Sequence, residues 1–397
     1  MPTAVSTGGG TNQQTRNRGS ERQVLPVVPF IRASAEHREG SGVDTARLLT
    51  ASAQDLGVFD IPAYGYLRSL ILLVQATGGA GTAVTHAEDG PWNALTNIAV
   101  TEPNGAVIAQ FNSGYELYLA NKWGGYRHAS GADPLSSPAY TVGANTTGNF
   151  QYILRIPLEI NLRDGLGALP NQNAAATFKL RLTQNSTTNI YGTVPSTPPS
   201  LRIRVFTEAW DQPESLSGGA TNQVTPPALN TTQFWSSQIF NVSAGAQTIR
   251  LTRVGNYIRN LIFILRRAGT SRVNGQIDWP DPTTLYLDTR PLDIVEKTNW
   301  AHQMFERTGF GGSLGNTGVP GGGGGSVPAY DSGQGLSNGV FVYDFMHEFD
   351  GGLGRENRDL WLPTLGSTRL EIQGSFTTAG VLTVLTNDVA VAGSVFI

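Results

Sequence analysis

The chain of 397 residues contains no cysteine. Disulfide bonds, thiol nucleophiles and cysteine-ligated metal sites are therefore excluded. Charge is also scarce: charged residues make up 14% of the chain, only three are lysine, and the net charge is −3. This balance does not favour binding to nucleic acid or to an acidic membrane surface. We expect the folded state to be stabilised by packing or by assembly.

Long apolar runs are absent as well. In residues 65–75, GYLRSLILLVQ, the uninterrupted apolar run from Leu70 to Val74 is five residues long. A membrane-spanning helix needs roughly 20 residues. The run therefore predicts a buried strand. The first 23 residues have no apolar core, so they do not resemble a signal peptide.

Glycine and proline are abundant, at 48 and 22 residues, and the chain is also rich in threonine, asparagine and serine. This composition is typical of a β-rich protein with many loops. Ser200 to Trp210 shows the alternation expected of a strand with one buried face. Strand-like runs of the N-terminal part are 56–61, 67–74, 98–102, 150–160, 177–182 and 200–210.

The order of these segments repeats. Residues 256–266, NYIRNLIFILR, match 65–75 at a distance of 191 positions, and TRLEIQ (368–373) matches TFKLRL (177–182). The repeat predicts that Leu70 and Ile71 are structurally equivalent to Leu261 and Ile262. Ordered self-similarity of this kind indicates a tandem duplication of one domain.

Each copy also carries one helix-like segment. Ser113 and Glu116 have the spacing of a capping box that opens SGYELYLANKWGG. Asp293 and Glu296 have the same spacing in DIVEKTNWAHQMFERTG. The pattern predicts a helix beginning at each box.

Many short strands and a single helix per copy predict an all-β fold of two tandem eight-stranded jelly rolls (β-sandwiches), each with a flanking helix. The expected divisions are an N-terminal arm at 1–40, a first jelly roll at 41–212, a linker at 213–232 and a second jelly roll at 233–397. Within the arm, VLPVVPFI (24–31) is expected to dock in an extended form, because its prolines prevent it from continuing a central sheet. Residues 309–335, with five consecutive glycines at 321–325, predict a surface loop.

The sequence gives little support for a catalytic or cofactor-binding motif. GGSLG (311–315) has nucleophile-elbow spacing around Ser313, but the flanking sequence lacks the required strand before and helix after it. Glu88 and Asp89 are adjacent, so their side chains are expected to diverge rather than form a catalytic pair. Asp344, His347, Glu348 and Asp350 are better explained as a solvated strand end than as a metal site. We predict no catalytic, cofactor-binding or metal residues, no cofactor and no enzyme activity.

Several stretches resemble, in the same order, those of the double jelly-roll major capsid proteins of tailless, internal-membrane phages of the tectivirus type. The stretches are VFDIPAYGYLRSLILLVQATG (58–78), DGPWNALTNIAVTEPNG (89–105), SGYELYLAN (113–121), IPLEINLRDGLGALPNQ (156–172), FKLRLTQN (178–185), AWDQPE (209–214) and TRPLDIVEKTNWAHQ (289–303). The glycine run at 321–325 departs from the family pattern.

The resemblance implies a homotrimer with a pseudo-hexagonal outline that tiles an icosahedral virion shell around an internal membrane. The implied partners are neighbouring trimers, penton and minor capsid proteins, and the membrane through the N-terminal arm, with no specific nucleic acid binding. The protein would be made in the host cytoplasm and reside in the virion. An alternative is a carbohydrate- or receptor-binding β-sandwich protein, which would need exposed aromatic residues such as Trp92, Trp123 or Tyr126. A jelly-roll hydrolase would need a pair of acids in a cleft.

Overall fold

The structure is a computed structural model. It describes residues 27–28, 30–124, 147–160, 165–213, 223–224, 232–267, 272, 279–308, 339–346 and 357–390. Most of the regular structure in these ranges is antiparallel β-sheet.

The N-terminal half contains eight principal strands in two sheets. They are β1 (Glu36–Leu48), β2 (Gln54–Asp60), β3 (Tyr66–Thr77), β4 (Leu95–Thr101), β5 (Val107–Ser113), β6 (Phe150–Pro157), β7 (Lys179–Gln184) and β8 (Ser200–Trp210). One sheet has the order β1-β8-β3-β6 and the other has the order β2-β7-β4-β5. The apolar faces of the two sheets form the core of a sandwich.

The C-terminal half repeats this arrangement. Its strands are β9 (Thr232–Val242), β10 (Gly245–Leu251), β11 (Tyr257–Arg267), β12 (Thr283–Leu287), β13 (Arg290–Val295), β14 (Val340–Asp344), β15 (Leu370–Phe376) and β16 (Gly380–Ala390). The sheet orders are β9-β16-β11-β14 and β10-β15-β12-β13. Each order equals that of the first half with every strand number raised by eight. The prediction of two tandem eight-stranded jelly rolls is thereby confirmed.

The register confirms the predicted equivalence of β3 and β11. In β3, Tyr66 pairs with Pro170 of a two-residue strand, and in β11, Tyr257 pairs with Pro363 of another. Tyr66 and Tyr257 are 191 positions apart. Leu70 therefore occupies the position of Leu261, and both side chains are fully buried.

One helix follows the fourth and fifth strands of each half. Helix α1 (Gly114–Trp123) begins at the predicted capping box: the Glu116 N–H donates to Ser113 Oγ at 3.3 Å. The Glu116 carboxylate accepts the N–H of Asn112, one residue before the cap, at 2.7 Å.

The predicted start of the second helix is wrong. Helix α2 spans Lys297–Thr308, and Asp293 lies in strand β13. Pairing of β13 with β12 satisfies the backbone at 290–295, so the capping pattern there is not used. The Lys297 N–H instead faces Asp281 Oδ1 at 3.4 Å.

The shorter elements connect or cover the sandwiches. They are the paired strands Val27–Val28 and Gln223–Val224, the paired strands Thr85–His86 and Tyr191–Thr193, the two-residue strands Leu169–Pro170 and Leu362–Pro363, the helices Phe30–Ala33 and Thr187–Ile190, and the 3-10 turns Trp92–Ala94 and Arg358–Leu360. Phe30 is buried with its ring 5.2 Å from that of Tyr66 and 6.3 Å from that of Trp210. This end of the predicted arm therefore packs on the first sandwich, but Phe30 and Ile31 do so in the helix Phe30–Ala33 and not in the expected extended form.

The two halves share one sheet. Strand β9 pairs in parallel with β5 through Trp235 and Ala109, which joins four strands of each half into a continuous sheet. The core is likewise continuous between the halves.

The predicted domain boundaries stay proposals. Strand β1 begins at Glu36, ahead of the expected start at 41, and β9 begins at Thr232, at the expected end of the linker. The glycine-rich residues 309–335 and most of the linker lie outside the described residues.

Candidate assembly surfaces

A buried arginine lies at a bulge in β3 of the first half. The Nε of Arg68 donates to Glu159 Oε2 at 2.6 Å, and its terminal nitrogen Nη1 lies 3.1 Å from Glu36 Oε1. Its guanidinium carbon stacks 4.2 Å from the ring of Trp210, whose Nε1 donates to the same Glu159 carboxylate at 2.7 Å. Burial raises the pKa of Glu159, although Arg68 acts in the opposite direction. The cation is held by two carboxylates, one in β1 and one just after β6.

The second half has the same site with different partners. Arg259 lies at the corresponding bulge in β11, and one of its terminal nitrogens donates to Gln233 Oε1 at 3.0 Å and to Asn387 Oδ1 at 2.6 Å. Its guanidinium carbon lies 5.8 Å from the ring of Trp361. Amides thus stand where the first half uses acids.

The outer strand β1 carries an ionic network. Glu208 on the neighbouring β8 is almost fully buried, and its carboxylate contacts Arg38 at 2.6 Å, Arg155 at 3.0 Å and the hydroxyl of Ser69. The side chain of Arg38 is 62% exposed. The first half therefore presents a charged sheet edge.

Uncharged groups make the central contact between the halves. The Gln233 side chain donates to the Glu159 carbonyl at 3.1 Å, and the Asn260 side chain donates to the Trp123 carbonyl at 3.0 Å. Trp235 is 1% exposed, with its ring 5.8 Å from that of Phe111. Burial of aromatic and amide groups fixes the position of one half on the other.

A buried ionic cluster adds to this contact. The Arg272 N–H donates to Glu88 Oε2 at 2.6 Å, and its Nε donates to Asp89 Oδ1 at 3.0 Å. Arg266 lies 2.5 Å from the other oxygen of Asp89. The expectation that Glu88 and Asp89 diverge is wrong, because they lie in a turn rather than a strand and both meet Arg272. Their role here is to bind the second half. Sequence spacing gave no sign of it, since the arginines lie almost half a chain away.

Two buried titratable groups lie near these contacts. Burial raises the pKa of Glu116 to about 7. The groups that face it are the Asn112 N–H, the Ser237 hydroxyl, Arg266 and Asp89. Burial lowers the pKa of His86 to about 4, where the ring lies between Phe150 and Tyr191.

Other residues considered from the sequence do not form a site. The expectation of a solvated strand end is wrong for Asp344, which is buried at the end of β14, where its Oδ1 accepts the Met346 N–H at 2.9 Å. Ser313, Tyr126, His347, Glu348 and Asp350 lie outside the described residues. Within the described part of the chain, no group of three or more acidic or histidine side chains could hold a metal ion. No helix in that part is long and apolar enough to cross a membrane.

The aromatic residues considered for ligand binding are in the core. Trp92 is 1% exposed and stacks on Tyr118 with the ring centres 4.5 Å apart. Trp123 is 2% exposed. Neither side chain can line an open groove.

Comparison with known proteins identifies the fold through structure alone. No family model matches the chain, and no curated protein matches it. The structure is similar to a chain of the atomic structure of Sulfolobus Turreted Icosahedral Virus, with a TM-score of 0.59 at 12% identity, covering 90% of this chain and 91% of that one.

Two further solved structures agree. The major capsid protein P2 from bacteriophage PM2 matches with a TM-score of 0.53 at 9% identity, covering 91% of this chain and 99% of that one. A chain of the PBCV-1 virus capsid matches with a TM-score of 0.56 at 10% identity, covering 90% and 93%. The chain therefore has the double jelly-roll fold of these structures over nearly its whole length.

Proposed function

We propose that this chain is a major capsid protein that assembles as pseudo-hexagonal trimers, which tile an icosahedral virion shell around an internal membrane. The observation that carries the proposal is the likeness of both jelly rolls together to capsid chains, across 90% or more of this chain and of each of those described. A fold hosts many functions, so a likeness to one sandwich alone would carry much less weight. No enzyme activity is expected.

The duplication supports a trimer. Three chains with two similar halves each would present six similar domains around one axis. Neighbouring trimers, penton proteins and minor capsid proteins are the proposed partners in the shell, and the N-terminal arm is the proposed contact with the membrane. We propose no specific binding of nucleic acid. The protein would be made in the host cytoplasm.

The test is the mass of the purified protein, measured by light scattering with size-exclusion chromatography. We expect three times the chain mass of 42.3 kDa. Electron microscopy of the same sample, or of the source particle, should show capsomers with a hexagonal outline. A protein that remains monomeric across the accessible concentration range would contradict the proposal.

The alternative is a carbohydrate- or receptor-binding β-sandwich protein. The burial of Trp92 and Trp123 removes two of the three aromatic residues on which it depended. Such a protein would bind glycans on an array and form no shell.

A further inference from the structure

We propose that β1 of one copy docks beside β13 of a second copy, and so repeats between chains the contact that β9 makes with β5 within the chain. In this contact Arg38 of one copy faces Asp293 of the next. The inference rests on the proposed function and specifies the surface through which the copies meet. Two structural equivalences between the halves support it. The solvent exposure of the outer strands and the opposite charges of Arg38 and Asp293 support it as well.

The first equivalence relates β1 to β9. Ser69 follows the buried Arg68 and pairs with Glu208. Asn260 follows the buried Arg259 and pairs with Asn387. On the other side of these strands, Glu208 pairs with Arg38 and Asn387 pairs with Trp235. Because Ser69 and Asn260 are equivalent, Arg38 holds in the first half the position of Trp235 in the second.

The second equivalence relates β13 to β5. Val100 of β4 pairs with Ala109 of β5, and Leu285 of β12 pairs with Asp293 of β13. In both hairpins the register shifts directly after this pair. A bulge is a fixed point in a strand pair, so it aligns the two hairpins. Asp293 therefore holds in the second half the position of Ala109 in the first.

The inner pair, Trp235 and Ala109, is the pair through which β9 and β5 join, and both residues are 1% exposed. The corresponding outer surfaces are open. The side chains of Glu36 and Arg38 are 53% and 62% exposed, whereas Gln233 in the position of Glu36 is 0% exposed.

The surface around β13 is open as well. Ile294 on this strand is 62% exposed. Beside the strand and α2 lies a hollow of about 560 Å³, lined in part by Leu292, Asp293 and Tyr343. An exposed sheet edge with an apolar residue and a hollow beside it is suited to receiving another strand.

The two residues at the equivalent positions have opposite charges. The edge of β1 carries the guanidinium of Arg38, which contacts Glu208 at 2.6 Å and is still 62% exposed, and the residue in the position of Ala109 is Asp293, a carboxylate. The occupant of each edge is therefore a second copy, bound head to tail. A head-to-tail contact forms a closed ring if its rotation closes and a filament if it does not. The proposed trimer corresponds to the closed case, in which three chains complete the ring.

Cysteine crosslinking tests the contact, because the chain has no cysteine of its own. The double variant Arg38→Cys/Asp293→Cys should form disulfides between copies under mild oxidation, and the main product on a non-reducing gel should be a covalent trimer. The matched control is Val58→Cys/Asp293→Cys, since Val58 is 59% exposed on the outer strand β2. We expect at least about tenfold more covalent trimer from the first pair, because disulfides need Cα atoms within about 7 Å.

The two single variants establish the direction of the contact. In a head-to-tail contact neither Arg38→Cys nor Asp293→Cys can link to itself within a trimer, whereas an equimolar mixture of them gives covalent dimers. A trimer of the correct mass in which the pair Arg38→Cys/Asp293→Cys links no better than the control would overturn the inference and leave the proposed function standing. An unsubstituted chain that never forms a trimer would contradict both.

Charge reversal at Asp293 gives a second measurement that needs no oxidation and leaves the ion pair of Arg38 with Glu208 intact. Asp293→Arg should weaken the trimer by roughly tenfold in dissociation constant, whereas Asp293→Glu should keep the value of the unsubstituted chain. An Asp293→Arg trimer as tight as the unsubstituted one, from a variant that keeps the native circular dichroism spectrum, would overturn the pairing of these residues.

Discussion

Arg68 and Arg259 hold equivalent positions at the bulges of β3 and β11. A buried cation must be paired or hydrogen-bonded, because its desolvation is costly. Glu36 and Glu159 contact the cation in the first half, and Gln233 and Asn387 accept hydrogen bonds from it in the second. The arginine is thus common to both halves, while the residues around it differ.

The buried carboxyl of Glu116 gives a prediction for pH dependence. Its pKa is raised by burial from an ordinary value of 4.5 to about 7. Between these values the folded chain holds a proton that the unfolded chain has released, so the free energy of unfolding falls as the pH rises through this window. The expected fall from this group is at most about 3 kcal/mol.

In the Glu116→Gln variant, the free energy of unfolding should no longer fall with rising pH in this way, so the slope of that free energy against pH should be smaller. Urea denaturation followed by tryptophan fluorescence at several pH values between 4.5 and 7 measures it. The exposed Glu296→Gln, near the start of the second helix, is the matched control and should keep the slope of the unsubstituted chain. Equal slopes for all three proteins would show that Glu116 does not carry the dependence.

Helix α1 can begin at Gly114 because this residue has no side chain. A Cβ at this position would collide with the carbonyl oxygen of Trp92. We expect Gly114→Ala to lower the free energy of unfolding by about 2–3 kcal/mol, because overpacking displaces backbone. Thermal unfolding measures the effect.

The control for this prediction is Gly366→Ala. A Cβ at Gly366 would have no atom within 4 Å. Its effect should stay within about 0.5 kcal/mol. A similar decrease in the free energy of unfolding in both variants would mean that the collision with the Trp92 carbonyl oxygen is not the cause of the decrease.

The sequence predicted strands at the centre and at the edges of the sheets: the runs 56–61 and 150–160 correspond to the edge strands β2 and β6. It missed β1 and β5 in the first half. Strands such as β3 and β8 show apolar runs or alternation because neighbours cover them on both edges and on at least one face. Strand β1 has a single buried residue, Ser41, among its 13 residues, so no apolar pattern marks it. The helix start at Asp293 was misplaced for a related reason: a local capping pattern cannot report that the segment pairs with β12.

The sequence also did not predict the residues that hold the two halves together. Arg272 meets Glu88 and Asp89 across more than 180 positions. Nothing in the local pattern of either segment encodes that distance. The duplication itself was visible, since equivalent core positions keep their apolar character.

The contact within the chain and the proposed contact between chains should respond differently to salt. Trp235 and Ala109 are apolar, whereas the proposed contact of Arg38 with Asp293 is ionic and near the surface. Ionic contacts weaken as the screening length falls from about 10 Å at 0.1 M salt to about 3 Å at 1 M. Trimers should therefore dissociate across this range while each chain stays folded.

Light scattering and circular dichroism on the same samples measure both properties. The matched variant Arg38→Gln/Asp293→Asn should form a weaker trimer whose dissociation constant depends less on salt. Unfolding that accompanies dissociation, or a trimer that strengthens with salt, would contradict the distinction between the two contacts.

The contact of β9 with β5 has a consequence for the order of assembly. Its two surfaces belong to one chain, so they meet at an effective concentration set by the connecting segment and not by the amount of protein present. This joint forms as the chain folds, even in the most dilute solution. Joints between chains depend on encounters, and the proposed ring of six domains would need three of them instead of six. Duplication of the domain would thus lower the protein concentration at which complete rings of the proposed kind outnumber incomplete ones.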